Sequence, residues 1–360
     1  MPASRPCGRA GVGTRRLGQP DTRKGRLIMK VYIAQPIQPE GVKMLEQVAE
    51  VRSNPEGRPQ TRAEFLAQIP DVDAVILPWH TEVMDKEAIG LAKNLKVIGR
   101  HGVGYENIDL EAAADRGVYV TFTPVHTPTV ADTTFALVMT AARRISEADR
   151  FVKDGKWTVG GEWVAWQYMG VDIHHKTLGV IGCGRIGALV AKRGTGFDMR
   201  ILYHDEVARP DVEKETGAVR VDLETLLKES DFITVNCALN ERTRKLLGAK
   251  QFAMMKPTAV VVSTARGPII DQPALAEALK SRRIAAAGLD VFVEEPIPPS
   301  DPLLTLDNVV LLPHIGSAAR EMRVKMALTV AEDVVKVLTG KEPTYLLNPR
   351  VRQVRPLGKA

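Results

Sequence analysis

Leu178-Gly179-Val180-Ile181-Gly182-Cys183-Gly184-Arg185-Ile186-Gly187 decides the fold of this chain of 360 residues. A short apolar run enters a G-x-G-x-x-G turn, and Ala188-Leu189-Val190-Ala191 opens a helix behind it. A strand that ends on such a turn and feeds a helix reads as the phosphate-binding corner of a doubly wound α/β sheet. Gly182 would permit the turn, Gly184 the close approach of a pyrophosphate, and Gly187 helix–strand packing, with the phosphates on the helix N-terminus. The motif alone is weak, because glycine-rich turns also serve only to join strand to helix. Its context strengthens it: Ile201-Leu202-Tyr203-His204 reads as a second strand and ends on Asp205, about 20 residues on. A carboxylate there accepts hydrogen bonds from the ribose hydroxyls and repels a 2′-phosphate, which predicts NAD in preference to NADP. Arg209, close behind, tempers that preference.

Outward from this corner, apolar runs and helical patterns alternate in both directions. C-terminal to it, strands are expected near 177–182, 199–204, 218–220, 231–237, 258–263, 285–290 and 308–312, with helices near 185–196, 222–228, 249–255 and 272–280. N-terminal to it, strands are expected at 30–35, 73–77, 95–99 and 118–122, and helices at 39–49, 61–69, 85–93 and 109–116. A helix is predicted over about 129–154, and a final one over 317–339 closed by Gly340. Residues 157–176, with Trp157, Trp163 and Trp166, read as a loop or arm. Strict βα alternation predicts parallel sheets in two α/β units.

Three later strands each stop on a residue that hydride-transfer chemistry needs. Val260-Val261-Val262 leads into Thr264-Ala265-Arg266-Gly267, Leu289-Asp290-Val291-Phe292 into Glu294-Glu295-Pro296, and Val309-Val310-Leu311-Leu312 into Pro313-His314. Ligands of such sheets bind outside the carboxyl ends of the strands. Reduction of a 2-keto acid needs a cation for the carboxylate and carbonyl, and Arg266 suits that job through bidentate pairing. It also needs a proton donor, and histidine, with an unperturbed pKa of about 6.5, makes His314 the candidate. Glu295 would orient that imidazole and favour its charged form. Taken singly, each also reads as a packed histidine, a surface arginine or a loop acid; the nucleotide turn makes the joint reading the stronger one. Gly102-Val103-Gly104, after a predicted strand, offers backbone N–H groups suited to a small carboxylate. Trp79-His80, after another, reads either as a cover for the substrate or as loop packing.

Composition narrows the partners. With 44% hydrophobic and 26% charged residues the chain is an ordinary globular sequence. The formal charge of +6 is confined to residues 1–28, where Arg5, Arg9, Arg15, Arg16, Arg23, Lys24 and Arg26 face only Asp21. The body is therefore formally neutral, and no nucleic-acid partner is expected. Residues 1–28 read as a disordered basic tail before a natural start at Met29, with a transit peptide as the alternative. No apolar run is long enough to span a membrane. Cys7, Cys183 and Cys237 are odd in number and lack metal-ligand spacing, which predicts a reduced, cytoplasmic setting and no metal. His174-His175 lacks the acids or spacing of a metal site.

The chain resembles the D-isomer-specific 2-hydroxyacid dehydrogenase family from about Met29 to Asn348. The resemblance rests on Gly102-Val103-Gly104-Tyr105-Glu106-Asn107-Ile108-Asp109, the glycine turn, Thr264-Ala265-Arg266-Gly267-Pro268-Ile269-Ile270-Asp271, Leu289-Asp290-Val291-Phe292-Val293-Glu294-Glu295-Pro296 and Pro313-His314-Ile315-Gly316-Ser317-Ala318. It implies that Arg266, Glu295 and His314 are catalytic and that Gly102, Val103, Gly104, Arg266 and His314 hold substrate. It extends the NAD contacts from Gly182, Gly184, Gly187 and Asp205 to Arg185, Ile186, Cys237, Ala238, Thr264, Ala265, Asp290 and Gly316, with Asp290 at the nicotinamide carboxamide. It implies a Rossmann unit (129–318) inserted into a discontinuous flavodoxin-like substrate unit (29–128 and 319–348). It also implies a homodimer formed through the nucleotide unit, with an arm in 130–175. Ser263, Ala238 and Asp132 depart from the common pattern without removing a catalytic group. The tryptophan-bearing loop before Gly170-Val171-Asp172-Ile173 is most similar to glyoxylate/hydroxypyruvate reductases. Phosphite dehydrogenase is an alternative, although it has a lysine where Val103 stands; formate dehydrogenase is disfavoured, because it pairs its histidine with glutamine. A dinucleotide-sensing corepressor is a further alternative.

Overall fold

The computed structural model describes residues 28–54, 56, 58–159, 161 and 166–358. The readings of residues 1–27 and Trp163 lie outside the described residues. Five strands, β1 (Met29–Ile33), β2 (Ala49–Ser53), β3 (Ala74–Leu77), β4 (Val97–Arg100) and β5 (Tyr119–Thr121), form one sheet in the order β2-β1-β3-β4-β5. Seven more, β6 (Thr177–Ile181), β7 (Arg200–His204), β8 (Val219–Arg220), β9 (Phe232–Val235), β10 (Val260–Ser263), β11 (Ala286–Leu289) and β12 (Val309–Leu311), form a second in the order β12-β11-β10-β9-β6-β7-β8. Every strand pairing within both sheets is parallel. Central strands such as β3, β4, β9 and β10 are buried along their whole length. Helices on both faces of a parallel sheet produce that burial, and it explains why these strands read as unbroken apolar runs.

The helices follow in chain order. α1 (Pro39–Leu45), α2 (Arg62–Gln68), α3 (Lys86–Leu91) and α4 (Leu110–Asp115) flank the first sheet. α5 (Thr127–Ala142) and α6 (Ile145–Lys153) lead to the second. α7 (Arg185–Thr195), α8 (Pro210–Thr216), α9 (Leu223–Glu229), α10 (Ala249–Met254) and α11 (Gln272–Lys280) belong with the second sheet. α12 (Arg320–Leu338) and α13 (Val351–Val354) return to the first. The start of α2 carries a capping box, Thr61 with Glu64, and Asp85, Asp109, Asp222 and Asp271 cap α3, α4, α9 and α11.

Several expected elements need correction. Residues 49–53, of which only Ala49 fell in an expected helix (39–49), form β2, an edge strand whose mixture of polar and half-buried residues hid its period. The helix expected over 129–154 is two helices, broken where Arg144 takes a left-handed φ of 52°. Arg144 is then held by an ion pair to Glu147. α8 was not anticipated, although Pro210 at its first position is a common helix opening. The last helix begins at Arg320 rather than 317, because Ile315 and Gly316 donate their amides to Asp290 instead.

α5 and α12 cross between the sheets. α12 packs on the first sheet so closely that a Cβ at Gly99 of β4 would lie 2.8 Å from Val330 and 2.9 Å from Val334. The segment after Gly340 folds back on the same sheet. Asn348 accepts from Val120 N at 2.9 Å and donates to Val118 O at 2.9 Å, and Asp333 accepts the amides of Thr344 and Tyr345.

Candidate active site

The glycine turn has the geometry that its sequence predicts. Gly182 takes a φ of +86°, and a Cβ on it would lie 2.5 Å from the Cys237 backbone, so the turn closes tightly on the end of β9. A Cβ at Gly187 would collide with Gly182 O, whereas one at Gly184 would meet nothing within 4 Å. Gly184 therefore borders open space, at the head of α7, where no side chain caps the first amides and no acid stands in the first turn. Unpaired first-turn N–H groups and the helix dipole favour an anion there. Asp205 directly follows β7; one oxygen accepts the Cys183 amide at 2.7 Å and the other that of Val207 at 3.1 Å. Arg209 donates to Cys183 O and pairs with Asp211, so its charge is engaged beside the acid. Turn, bare helix end and fixed carboxylate fit a nicotinamide dinucleotide, with Arg185 exposed beside them and Ile186 partly buried.

The carboxyl ends of β10, β11 and β12 bring the other predicted residues together. His314 Nδ1 lies 2.6 Å from Glu295 Oε2, and Glu295 Oε1 accepts the Phe292 amide at 2.9 Å. Burial works against the Glu295 charge, yet the hydrogen bond and charge of His314 hold its carboxyl below the usual range. With Nδ1 committed to Glu295, Nε2 is the nitrogen left for a reacting group. Asp290 is 1% exposed and accepts Ile315 N and Gly316 N, each at 2.7 Å. Burial pushes its carboxyl up against those two donors. Its observed contact is thus to the loop that carries His314. Thr264 bonds Thr134 of α5 at 2.7 Å, which ties the strand end before Ala265 and Arg266 to that helix.

Arg266 reaches from this sheet to the loop after β4. Nε donates to Glu106 Oε1 at 3.0 Å and Nη1 to Ala265 O at 2.8 Å. Gly104 lies beside it, with Gly102 against the Arg100 side chain; among the described residues the amides of Gly102, Val103 and Gly104 donate to no protein acceptor, which leaves them free for a carboxylate. From the first sheet, His80 stands with its ring centroid 5.9 Å from that of His314, and Trp79 meets His314 edge-on at 5.9 Å. Arg323 stacks over Trp79 at 5.8 Å. Cys237 and Ala238 follow β9, and Cys237 packs against the turn at Gly182. Among the described residues no cluster of acids, histidines and cysteines could hold a metal ion.

Sequence reasoning assigned no role to Arg100 and Glu106. Arg100 is 3% exposed and donates to Gly104 O at 2.5 Å and Leu77 O at 2.8 Å. Burial and the nearby Arg266 lower its pKa to about 10, which leaves it charged. An arginine closing an apolar strand was the visible clue, since buried charge needs partners.

Comparison with known proteins agrees with this geometry. The family model described as D-isomer specific 2-hydroxyacid dehydrogenase, NAD binding domain, matches residues 135–316. A glyoxylate reductase of Korarchaeum cryptofilum is 46% identical over 330 residues, covering 91% of this chain and 98% of the relative. One from Thermococcus litoralis is 44% identical over 331 residues, covering 91% and 99%. The crystal structure of the TT0316 protein from Thermus thermophilus superposes with a TM-score of 0.83 at 38% identity, covering 89% of this chain and 100% of that one. An NADPH-dependent glyoxylate/hydroxypyruvate reductase from Sinorhizobium meliloti gives 0.77 at 28% identity, covering 90% and 98%. The chain belongs to the D-isomer-specific 2-hydroxyacid dehydrogenase family. It is an oxidoreductase acting on 2-hydroxy and 2-keto acids with a nicotinamide cofactor.

Proposed function

We propose that the chain reduces small 2-keto acids of the glyoxylate and hydroxypyruvate type with NADH, reversibly, to D-2-hydroxy acids. The observation that carries this reading is the 2.6 Å His314–Glu295 pair, with His80 5.9 Å from His314 and itself meeting Arg266 at Gly104, whose loop amides are free. The glycine turn and Asp205 would hold a nicotinamide dinucleotide, which would supply the hydride. Arg266 binds the substrate carboxylate and polarises the keto oxygen, with the glycine-loop amides taking the rest of the carboxylate charge. His314 Nε2 donates the proton to the developing alkoxide, and Glu295 stabilises the imidazolium before transfer. The relatives' names support glyoxylate as substrate. Asp205, aimed into the turn, supports NAD over NADP.

The same reading assigns residues 129–318 to the nucleotide unit and 29–128 with 319–348 to the substrate unit. Ile145, Val152, Trp157, Trp166 and Met169 are exposed apolar residues on one stretch, which supports a homodimer through this arm. The free thiols Cys183 and Cys237 support a reducing, cytoplasmic compartment. No helix among the described residues is long and apolar enough to cross a membrane. The test is NADH oxidation with a panel of 2-keto acids, repeated with NADPH and, in the oxidative direction, with phosphite. Turnover of glyoxylate or hydroxypyruvate is expected. A complete lack of oxidation across the panel would favour a sensing role and overturn the reading.

A further inference from the structure

Gly104 marks the point where side chains from both sheets converge. A Cβ there would collide with Arg266 Nη2 and lie 2.6 Å from Glu106 Oε2 and 2.9 Å from His80 Cε1. Glu106 Oε1 holds Arg266 Nε at 3.0 Å, and Oε2 faces His80 Nδ1 at 3.8 Å. The backbone around Glu106 is pinned on both sides. Arg100 Nε donates to Gly104 O at 2.5 Å, and Asn107 Nδ2 donates to Glu82 O at 2.6 Å. The carboxylate is therefore placed on the cleft wall although its side chain is 51% exposed.

The charges around it decide what it does. Arg100 only donates, and its Nη2 lies 3.1 Å from His80 Nε2 and 3.4 Å from Nδ1, so it faces the unprotonated nitrogen of a neutral ring. Burial, then Arg100 and Arg266, lower the His80 pKa to about 3, so the ring adds no positive charge at working pH. Burial opposes ionisation of Glu106, but Arg266 holds its carboxyl below the usual range. Arg266 thus already carries a full negative charge on its Nε edge and Ala265 O on Nη1. Nη2, beside Gly104, has no protein acceptor among the described residues.

We propose that Glu106 sets the charge class of the substrate: it positions Arg266 for one carboxylate and repels a second, so that the site selects monocarboxylate 2-keto acids over dicarboxylates. The inference rests on the keto-acid reductase reading above. One substrate carboxylate takes Arg266 Nη2 and the amides of Gly102 to Gly104. A second carboxylate on the Glu106 side of Arg266 meets a like charge that Arg266 offsets only in part, and because Glu106 is half exposed the repulsion is moderate and open to screening by salt. A methyl or hydroxymethyl group at the same position meets no such repulsion. Glu106 is a positioning and selectivity residue, not a catalytic one.

2-Oxobutyrate and oxaloacetate share a four-carbon frame and differ in a terminal methyl against a carboxylate. Their kcat/KM values with NADH, for the wild type, Glu106→Gln and Glu106→Asp, test the proposal. The wild type should favour 2-oxobutyrate. Glu106→Gln should narrow that preference about tenfold, mainly through a lower KM for oxaloacetate, while Glu106→Asp, which keeps the charge, should preserve most of it. The wild-type preference should also shrink as ionic strength is raised, because salt screens the repulsion; this arm needs no variant to fold. Where turnover of either acid is too slow to follow, its competitive inhibition constant against glyoxylate gives the same comparison. An unchanged preference in Glu106→Gln, an equal shift in Glu106→Asp, a salt-independent preference, or a wild type that favours oxaloacetate would each overturn the proposal. A wild type that reduces no 2-keto acid overturns the functional reading itself, and this inference with it.

Discussion

His314 sits at a left-handed φ of 54°, held by its own amide on Leu312 O and by the grip of Asp290 on the next two amides. Such a conformation in a non-glycine residue persists only where neighbours over-determine it, and here it aims the ring at Glu295. Glu295→Gln keeps the size and removes the charge that stabilises the imidazolium. We expect kcat to fall roughly 10- to 100-fold with NADH affinity unchanged, read by steady-state kinetics beside NADH titration. The Glu295 carboxyl lies below its unfolded value, so its stabilising contribution is present above pH ~4.3 and is lost as pH falls through the folded value. At this scale the sequence was legible where a strand end and a chemistry-bearing residue coincide, as at Arg266, Glu295 and His314. It was silent on Arg100 and Glu106. Their roles come from contacts such as Arg100 with Leu77 O, 23 residues away, and Glu106 with Arg266, 160 away, which no local pattern encodes.

The three glycines of the turn after β6 do different work, and their substitution should separate binding from stability. Gly184 has an ordinary φ and open space beyond it, so Gly184→Ala should leave the melting temperature within a degree or two while weakening NADH binding roughly tenfold or more. Gly187 packs its α-carbon against Gly182 O, so Gly187→Ala should destabilise by about 2–3 kcal/mol. Thermal melting and NADH fluorescence titration of the two variants check this, and equal melting temperatures would contradict it. Buried strands such as β4 and β10 were readable because burial on both faces leaves only apolar residues. β2 was not, because an edge strand is half solvated and its Ala49-Glu50-Val51-Arg52-Ser53 continues a helical-looking run. The break between α5 and α6 escaped for a related reason: Arg144 has neither glycine nor proline chemistry to announce a left-handed turn.

At the scale of the molecule, three histidines are stored neutral where the sheets meet. Burial is the main cause in each: it lowers His80 and His101 to about 3 and His126 to about 4. All three folded values lie below the unfolded ~6.5, so the unfolded chain takes up protons that the folded one refuses. Stability is therefore whole above pH ~6.5 and falls as pH drops toward 3, by about 1.4 kcal/mol per pH unit for each histidine. Melting temperatures at pH 7, 6 and 5 should decline progressively, and His101→Gln should decline about a third less steeply. A flat profile would contradict the buried-neutral assignment. Where the two sheets meet, Arg266 of one comes against Gly104 of the other and His314 against Trp79 and His80, and the proposed chemistry depends on that meeting. One measurement tests it most directly: NADH oxidation with glyoxylate by the wild type and by His314→Ala, with NADH affinity measured on both. Turnover by the wild type, its loss by about 10² or more in the variant, and equal NADH affinity are the predicted result. Near-normal turnover by His314→Ala would contradict the account.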